Sequence, residues 1–342
     1  MSDASSRRLI VSLTSYPARI SFVPKVVESL LAQSRPADDV VLYLSGDQFP
    51  GRETDLPEAL RDIASAGRLR LRWVDGDLKP HKKYIYAFRE YPEDIVVTVD
   101  DDVVYDRFLL KRLWETHLKY PEAVVASRTH LIVLDPDGQP LPCSSWLIRT
   151  HGFKEGPSMQ LFAIGIGGIL YDPKLFPPEL YNEQAIRETC LLTDDLWLKF
   201  MELAAGIPVV RCPGLEMVRT IPGSQEVSLC SVNVGERRND EAFSAIRRWA
   251  DGYYGRNVVR ESLADGRWPR IAGERELLDF CNRDRLRMLD SVKHSVLSLE
   301  SRLAETRQKN DLLAEQLRLI RDSRSYKLAN KLLFPLRLFR KK

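Results

Sequence analysis

The sequence predicts an α/β fold built on a mostly parallel, doubly wound sheet. Three observations predict it. Short apolar runs alternate with amphipathic segments through the first hundred residues, the runs have the length of buried strands, and several of them end in small polar or acidic residues. An apolar run of this length bounded by turn signals reads as a buried strand. Strands alternating with helices read as parallel βαβ units.

Leu9–Thr14 is the first such run, and it opens into a loop over 15–19. Val23–Gln33 carries apolar residues at helical spacing. Val40–Leu44 is the second strand, Leu56–Ala66 the second helix and Leu69–Trp73 the third strand. Lys82–Glu90 is the third helix, and Ile95–Val99 is a fourth strand that runs into three aspartates. Beyond them, Phe108–Tyr120 reads as a helix. Ala123–Ser127 and Leu131–Leu134 read as strands, with a turn over 135–138, and Gln160–Tyr171 is apolar and glycine-rich. Thr193–Ala205 is a helix with Thr193 as its cap and Asp194 and Asp195 in its first turn, where acids are favoured. Residues 212–284 give no clear element. Ligands of doubly wound sheets bind outside the carboxyl ends of the strands. Thr14, Asp75 and Asp100 each stand just past such an end, so they are expected along one edge.

The net charge is only +3 over 342 residues, which argues against nucleic acid as a partner. Five cysteines, an odd number with no C-x-x-C pair, argue against a disulfide framework or zinc cluster and for a reducing compartment. Residues 1–8 are polar, so no secretory signal is expected, and no apolar stretch is long enough to span a bilayer. From Leu289 to Ile320 apolar residues recur in steps of three and four without Gly or Pro. That is a heptad seam, and Asn310 shares the heptad position of Leu289, Val296, Leu303 and Leu317. A single Asn there favours a two-stranded coiled coil, and hence a homodimer. Residues 323–342 hold seven Lys or Arg, no acid and many large apolar residues, a pattern suited to an anionic membrane surface. The expected organisation is a catalytic domain over 1–284, a coiled coil over 285–322 and a basic amphipathic tail over 323–342.

Three adjacent aspartates repel one another, and a divalent cation relieves the repulsion. On an extended chain Asp100 and Asp102 point to the same side, where two carboxylates can hold Mg²⁺ or Mn²⁺ and leave positions for phosphate oxygens. Asp101 points elsewhere, toward a ribose hydroxyl. Asp194 and Asp195 offer a general base. Gly165-Ile166-Gly167-Gly168 permits close approach of backbone to ligand, but it is neither a dinucleotide fingerprint nor a P-loop. Lys79, Lys82 and Lys83 could steer a diphosphate. The five histidines show no metal-binding spacing.

Taken in order, Ile10-Val11-Ser12-Leu13-Thr14-Ser15-Tyr16-Pro17-Ala18-Arg19, Lys82-Lys83-Tyr84, Asp100-Asp101-Asp102-Val103-Val104-Tyr105, Gly165-Ile166-Gly167-Gly168-Ile169-Leu170-Tyr171 and Thr193-Asp194-Asp195-Leu196-Trp197 resemble the GT-A, family-2-like glycosyltransferases of bacterial surface-polysaccharide synthesis. The resemblance covers roughly residues 8–240. It implies a nucleotide-diphospho-sugar transferase fold, a Rossmann-like mostly parallel sheet. It also implies a nucleotide-sugar donor, with UDP-sugar the best guess, and a glycan or lipid-linked acceptor. Asp100 and Asp102 match the metal-binding acids and Asp195 the base of inverting members, with Asp194 the lesser choice. Thr14, Ser15, Arg19, Asp75, Lys79, Lys83, Asp101, Gly167 and Gly168 fall to the nucleotide-sugar pocket. The implied location is cytoplasmic, peripheral at the inner face of the plasma membrane. Two departures stand out. The acid pair reads Asp-Asp rather than Glu-Asp, and no histidine lies between His151 and His294 to complete a metal site, leaving Asn239 or Asp240 as substitutes. The competing readings are a sugar nucleotidyltransferase, which wants a glycine-rich loop where Ser15-Tyr16-Pro17-Ala18-Arg19 stands, and a degenerate domain kept as a coiled-coil scaffold.

Overall fold

Period-two alternation sorts the first strand between two layers: Leu9, Val11 and Leu13 face one side of the sheet, Ile10 and Ser12 the other. The computed structural model describes residues 7–135, 137–147, 156–215, 219–224, 238–264, 267, 303–323 and 327. Its strands are β1 (Leu9–Thr14), β2 (Asp39–Ser45), β3 (Arg70–Val74), β4 (Ile95–Thr98), β5 (Val103–Val104), β6 (Val124–Ala126), β7 (Thr129–Leu131), β8 (Leu161–Ala163), β9 (Ile169–Tyr171), β10 (Val209–Arg211) and β11 (Arg219–Thr220). Its helices are α1 (Val23–Leu31), α2 (Glu58–Ser65), α3 (Lys82–Glu90), α4 (Leu109–Lys119), α5 (Glu183–Thr189), α6 (Asp194–Ala205), α7 (Arg238–Tyr254) and α8 (Val258–Ala264).

The main sheet has seven strands in the order β10-β6-β9-β4-β1-β2-β3. All neighbours in it are parallel except β9, which runs antiparallel between β4 and β6. The fold class is therefore α/β with a mostly parallel sheet, as the alternation of elements predicts. One face carries Leu9, Val11, Leu13, Val40, Leu42, Leu44, Ile95 and Val97 against α1, α2 and α4 in a single apolar cluster. On the other, α3 packs against β1, β2 and β4. There Tyr84, Phe88, Tyr171 and Phe176 meet edge to face or tilted. A smaller pair, β7 with β8, and a short one, β5 with β11, flank the sheet.

Several details differ from the sequence reading. The strand before the aspartates stops at Thr98, and Asp101 and Asp102 form a turn. The segment 131–134 contributes only Leu131 to β7, with Leu134 bridging Pro140. Thr193 stands at the N-cap of α6, but its buried hydroxyl has no hydrogen-bond partner. In 212–284, where no element was expected, α7 and α8 pack on α6. The chain divides into two units, 1–272 and 273–342. In the second unit a helix covers 303–322, with Leu303, Leu313, Leu317 and Ile320 exposed along it. The seam over 289–302 and the tail beyond Lys327 lie outside the described residues.

Within α6, Lys199 and Glu202 form an ion pair at 3.2 Å, and each side chain is 1% exposed. Burial pushes Glu202 up to about 7, and Lys199 opposes that shift. Breaking a buried pair strands a charge, whereas replacing both partners removes the desolvation cost. Lys199→Met alone should lower the unfolding free energy by roughly 3–5 kcal/mol. Lys199→Met with Glu202→Leu should recover most of it, measured by urea titration at neutral pH.

Candidate active site

The strand order reverses between β1 and β4: β1 is followed outward by β2 and β3, while the chain returns to lay β4 on its other side. Reversal leaves a crevice beyond the carboxyl ends of these two strands. A cavity of about 740 Å³ occupies it. The loops after β1 and β4 form one wall, the start of α3 and the turn at Gly165 form its floor, and the start of α6 forms the opposite wall.

On the β1 side the polar groups are already partnered. Thr14 Oγ1 donates to the Tyr43 carbonyl at 2.8 Å, and Ser15 Oγ donates to Asp101 Oδ2 at 2.5 Å. The Arg19 guanidinium reaches Asp101 at 3.2 Å and also pairs with Asp102. Burial pushes Asp101 up to about 6, against the pull of Arg19 and Ser15. The Asp102 carbonyl accepts the Ile221 N–H at 2.8 Å, so the segment with β11 covers the aspartate turn. Alternation along an extended chain puts Asp100 and Asp102 together. Because the strand ends at Thr98, the turn instead gives Asp101 and Asp102 a common partner in Arg19 and sends Asp100 to another cation.

That cation is Lys83, on the first turn of α3. Its ammonium is 2.8 Å from Asp100 Oδ1 and 2.9 Å from Asp194 Oδ2, with the side chain 5% exposed. Its carbonyl accepts the buried Ser12 hydroxyl of β1 at 2.5 Å, which ties the helix start to the sheet. Asp195 Oδ2 accepts the Gly165 N–H at 3.0 Å, while Oδ1 is buried without a partner. A Cβ on Gly165 would lie 3.1 Å from Asp195 Oδ1, 3.4 Å from Lys83 Nζ and 3.6 Å from Asp100 Oδ1. Glycine at 165 thus leaves the space in which the triplet, the lysine and the acid pair meet. Burial raises Asp195 well above the carboxylate range, and the neighbouring Asp194 charge raises it further. Burial raises Asp194 too, but Lys83 and His81 outweigh it and hold that carboxyl below the ordinary range.

His81 fixes this arrangement from behind. Its ring is fully buried, with Nε2 2.9 Å from the Cys190 carbonyl and Nδ1 2.9 Å from the Tyr84 hydroxyl. A carbonyl only accepts, so Nε2 carries the proton and Nδ1 accepts from Tyr84. The neutral ring therefore joins the start of α3 to the loop before α6.

The remaining residues named from sequence divide. Lys79 lines the cavity rim with a left-handed backbone, φ 52, and pairs with Asp77 at 2.6 Å; the buried Lys82 shares that carboxylate. Asp75 is exposed and off the cavity wall. Gly167 and Gly168 are also off it: Gly167 is packed by Ser127 and Arg128, and Gly168 at φ 90 by Leu109. Of that motif, Gly165 and Ile166 line the cavity. The far wall holds His130, Ser144, Trp146, Phe162, Leu192 and Asp240, which the sequence did not single out as a group. They come from β7, β8, the turn at Cys143–Ser145, the loop before α6 and the first turn of α7, so no linear spacing connects them. Asp240 Oδ2 accepts the Ser144 hydroxyl at 3.0 Å.

The donor set suits a hard cation. Asp100, Asp101, Asp102, Asp194, Asp195 and Asp240 line the cavity against Arg19, Lys79, Lys82 and Lys83. An anionic ligand entering such a surplus of carboxylate needs an added positive charge. Among the described residues no three acidic, imidazole or thiol groups converge as a complete metal site.

No protein-family model matches this sequence, and no curated protein matches it. Among solved structures, glucosyl-3-phosphoglycerate synthase from Mycobacterium tuberculosis, in complex with Mn²⁺, uridine-diphosphate and glucosyl-3-phosphoglycerate, is 16% identical with a TM-score of 0.28. That match covers 36% of this chain and 44% of the synthase, so it spans less than half of that protein's length. 4-Diphosphocytidyl-2C-methyl-D-erythritol synthase from Anaerococcus prevotii is 13% identical with a TM-score of 0.40, over 74% of this chain and 98% of that one. Similarities this low assign no function.

The His81 geometry has a pH consequence. Burial pushes the ring down to about 4 from its ordinary 6.5. Its folded value lies below the unfolded one, so its contribution is whole above about 6.5 and is lost as pH falls toward 4. Wild-type protein should lose roughly 3 kcal/mol through this window from His81 alone. In urea titrations at a series of pH values, His81→Gln should show a flatter profile there.

Proposed function

We propose that this chain is a GT-A glycosyltransferase that moves a sugar from a nucleotide-sugar donor to an acceptor hydroxyl. One observation carries the reading. The aspartate triplet at the end of β4 and the acid pair at the start of α6 meet at Gly165 in a single cavity, and the buried Asp195 Oδ1 there has no partner. A buried carboxylate with an open acceptor atom is placed to take a proton, and a raised affinity for that proton suits a general base near neutral pH. In the reaction, Asp195 accepts the proton of the acceptor hydroxyl, whose oxygen forms a bond to the anomeric carbon. The bond from that carbon to the nucleoside diphosphate breaks on the opposite face, and the diphosphate leaves with the electron pair. Asp194 stays ionised beside Lys83 and does not compete for the proton. Arg19 and Ser15 fix Asp101 and Asp102, and the buried Gln48 side-chain oxygen, which lacks a partner, is open to a donor N–H or hydroxyl of the nucleotide. Asp100 and Asp102 would hold Mn²⁺ or Mg²⁺, which when bound neutralises the departing diphosphate.

A ligand that binds only the folded state raises its melting temperature. Thermal shift with UDP should therefore show stabilisation that requires Mn²⁺, and Asp102→Asn should abolish it. Asp195→Asn should keep that stabilisation while sugar transfer falls at least about a hundredfold. A larger effect from Asp194→Asn would exchange the two roles, and transfer unaffected by either change would refute the assignment.

The exposed Leu303, Leu313, Leu317 and Ile320 support a second proposal, that the C-terminal helix pairs two chains. No described helix is long and apolar enough to cross a membrane. The basic tail supports attachment to an anionic surface that carries a lipid-linked or glycan acceptor. Removing 285–342 should yield a monomer by light scattering. Removing 323–342 alone should keep the dimer but release it from anionic vesicles.

A further inference from the structure

Lys83 joins the two halves of the site, and a diphosphate clamp does not account for its position. Its backbone cannot shift freely, because its carbonyl holds the Ser12 hydroxyl of the central strand. Only the side chain can move, and its ammonium already lies within ion-pair distance of both Asp100 and Asp194. The space left by the missing side chain of Gly165 is bounded by Lys83 Nζ, Asp100 Oδ1 and Asp195 Oδ1, and the last of these is a buried oxygen without a partner. Asp100 is the more accessible of the two paired acids, its side chain 28% exposed against 10% for Asp194. A cation arriving through the cavity therefore meets Asp100 first, and Asp194 is the deeper partner.

We propose that Lys83 is a resident counter-ion that holds the place of a divalent cation against Asp100 and passes wholly to Asp194 when that cation binds. This rests on the reading of Asp100 as a metal ligand. Two positive charges competing for one carboxylate repel, so the incoming ion weakens the contact from Lys83 to Asp100. The contact to Asp194 is already made, so the transfer needs the loss of one pairing and no excursion of the chain. Metal occupancy is thereby coupled to the acid pair. With the cation absent, the ammonium is divided between the two halves of the site. With it present, the ammonium belongs to Asp194 and leaves Asp195 the acid without a cationic partner. Lys83 is thus a positioning residue, and it acts through Asp100 and Asp194.

The test is Mn²⁺ affinity, read from the loss of the free-ion paramagnetic resonance signal with Mn²⁺ alone and with Mn²⁺ plus UDP, on the full chain. Lys83→Met removes the competitor and should bind Mn²⁺ about tenfold tighter than wild type, or about 1.4 kcal/mol. Lys83→Arg keeps the charge and should stay near wild type. Asp194→Asn takes away the alternative partner and should bind Mn²⁺ more weakly, although Asp194 is not a metal ligand. A purely structural lysine predicts a lower melting temperature for Lys83→Met with unchanged Mn²⁺ affinity, and that result overturns the proposal. If Lys83→Met does not fold, Asp194→Asn decides: wild-type affinity in that variant overturns it equally. Wild-type protein that binds no Mn²⁺ with or without UDP overturns the metal reading itself, and the handover with it.

Discussion

Carboxylates crowded into one partly enclosed space raise one another's proton affinity and resist burial, so a site of this composition exists only where positive charge is supplied at matching positions. The fold supplies it twice. Arg19, from the loop after β1, answers Asp101 and Asp102. Lys83, from the first turn of α3, answers Asp100 and Asp194. Both cations are held by elements next to the central strand, and both acid groups arrive later in the sequence. The sheet thus presents two fixed positive points, and the turns carrying the aspartates are drawn onto them. Much of the local structure follows from this. The triplet turns instead of extending, Ser12 is spent on the Lys83 carbonyl, and glycine suits position 165 because three charged groups border the place a Cβ would take.

Where physical pattern is strong and local, the sequence was readable. The bounds read for β1 and α3, Leu9–Thr14 and Lys82–Glu90, are those of the structure, because one is an unbroken buried run and the other has a stripe of large side chains. The acids were readable as a group because chemistry restricts where aspartates can cluster. Their orientation was not, since alternation holds only while the chain is extended and β4 ends two residues before Asp100. The glycine motif was recognised, but which of its members lines the cavity was not, since only packing sets Gly167 and Gly168 against Ser127 and Leu109. The helix α7 passed unread although Ala242, Phe243, Ile246 and Ala250 have helical spacing, because two of those four are alanines and the stripe is thin. The far wall of the cavity was illegible for a simpler reason. Its residues are brought together from five separate segments, and no local rule links them.

Charge pairing within α6 shows the same economy at a second place. Lys199 and Glu202 are as buried as the core leucines Leu30 and Leu203, and each is tolerable only because of the other. The helix that presents Asp194 and Asp195 is anchored by the buried Trp197 and Phe200, and the charged pair is carried inside with them. Its apolar residues hold it to the fold, and the pair lets the helix bury two charged side chains on the same turn. Of the two aspartates at its start, Asp195 is the one that accepts the Gly165 N–H.

The antiparallel strand β9 lies between β4 and β6, which do not touch each other in the sheet. Synthesis runs from the amino terminus, so β4 and β6 both leave the ribosome before the strand that joins them. The parallel block of β1 to β4 can pair at once, with Lys83 already beside Asp100. It carries an open edge along β4 until residues 169–171 arrive. Only after that strand is laid down can α6 bring Asp194 and Asp195 to the cavity. Asp100, Asp101, Asp102 and Asp194 thus each follow in the chain the cation they pair with, and Asp195 joins the site only once the sheet is closed around it.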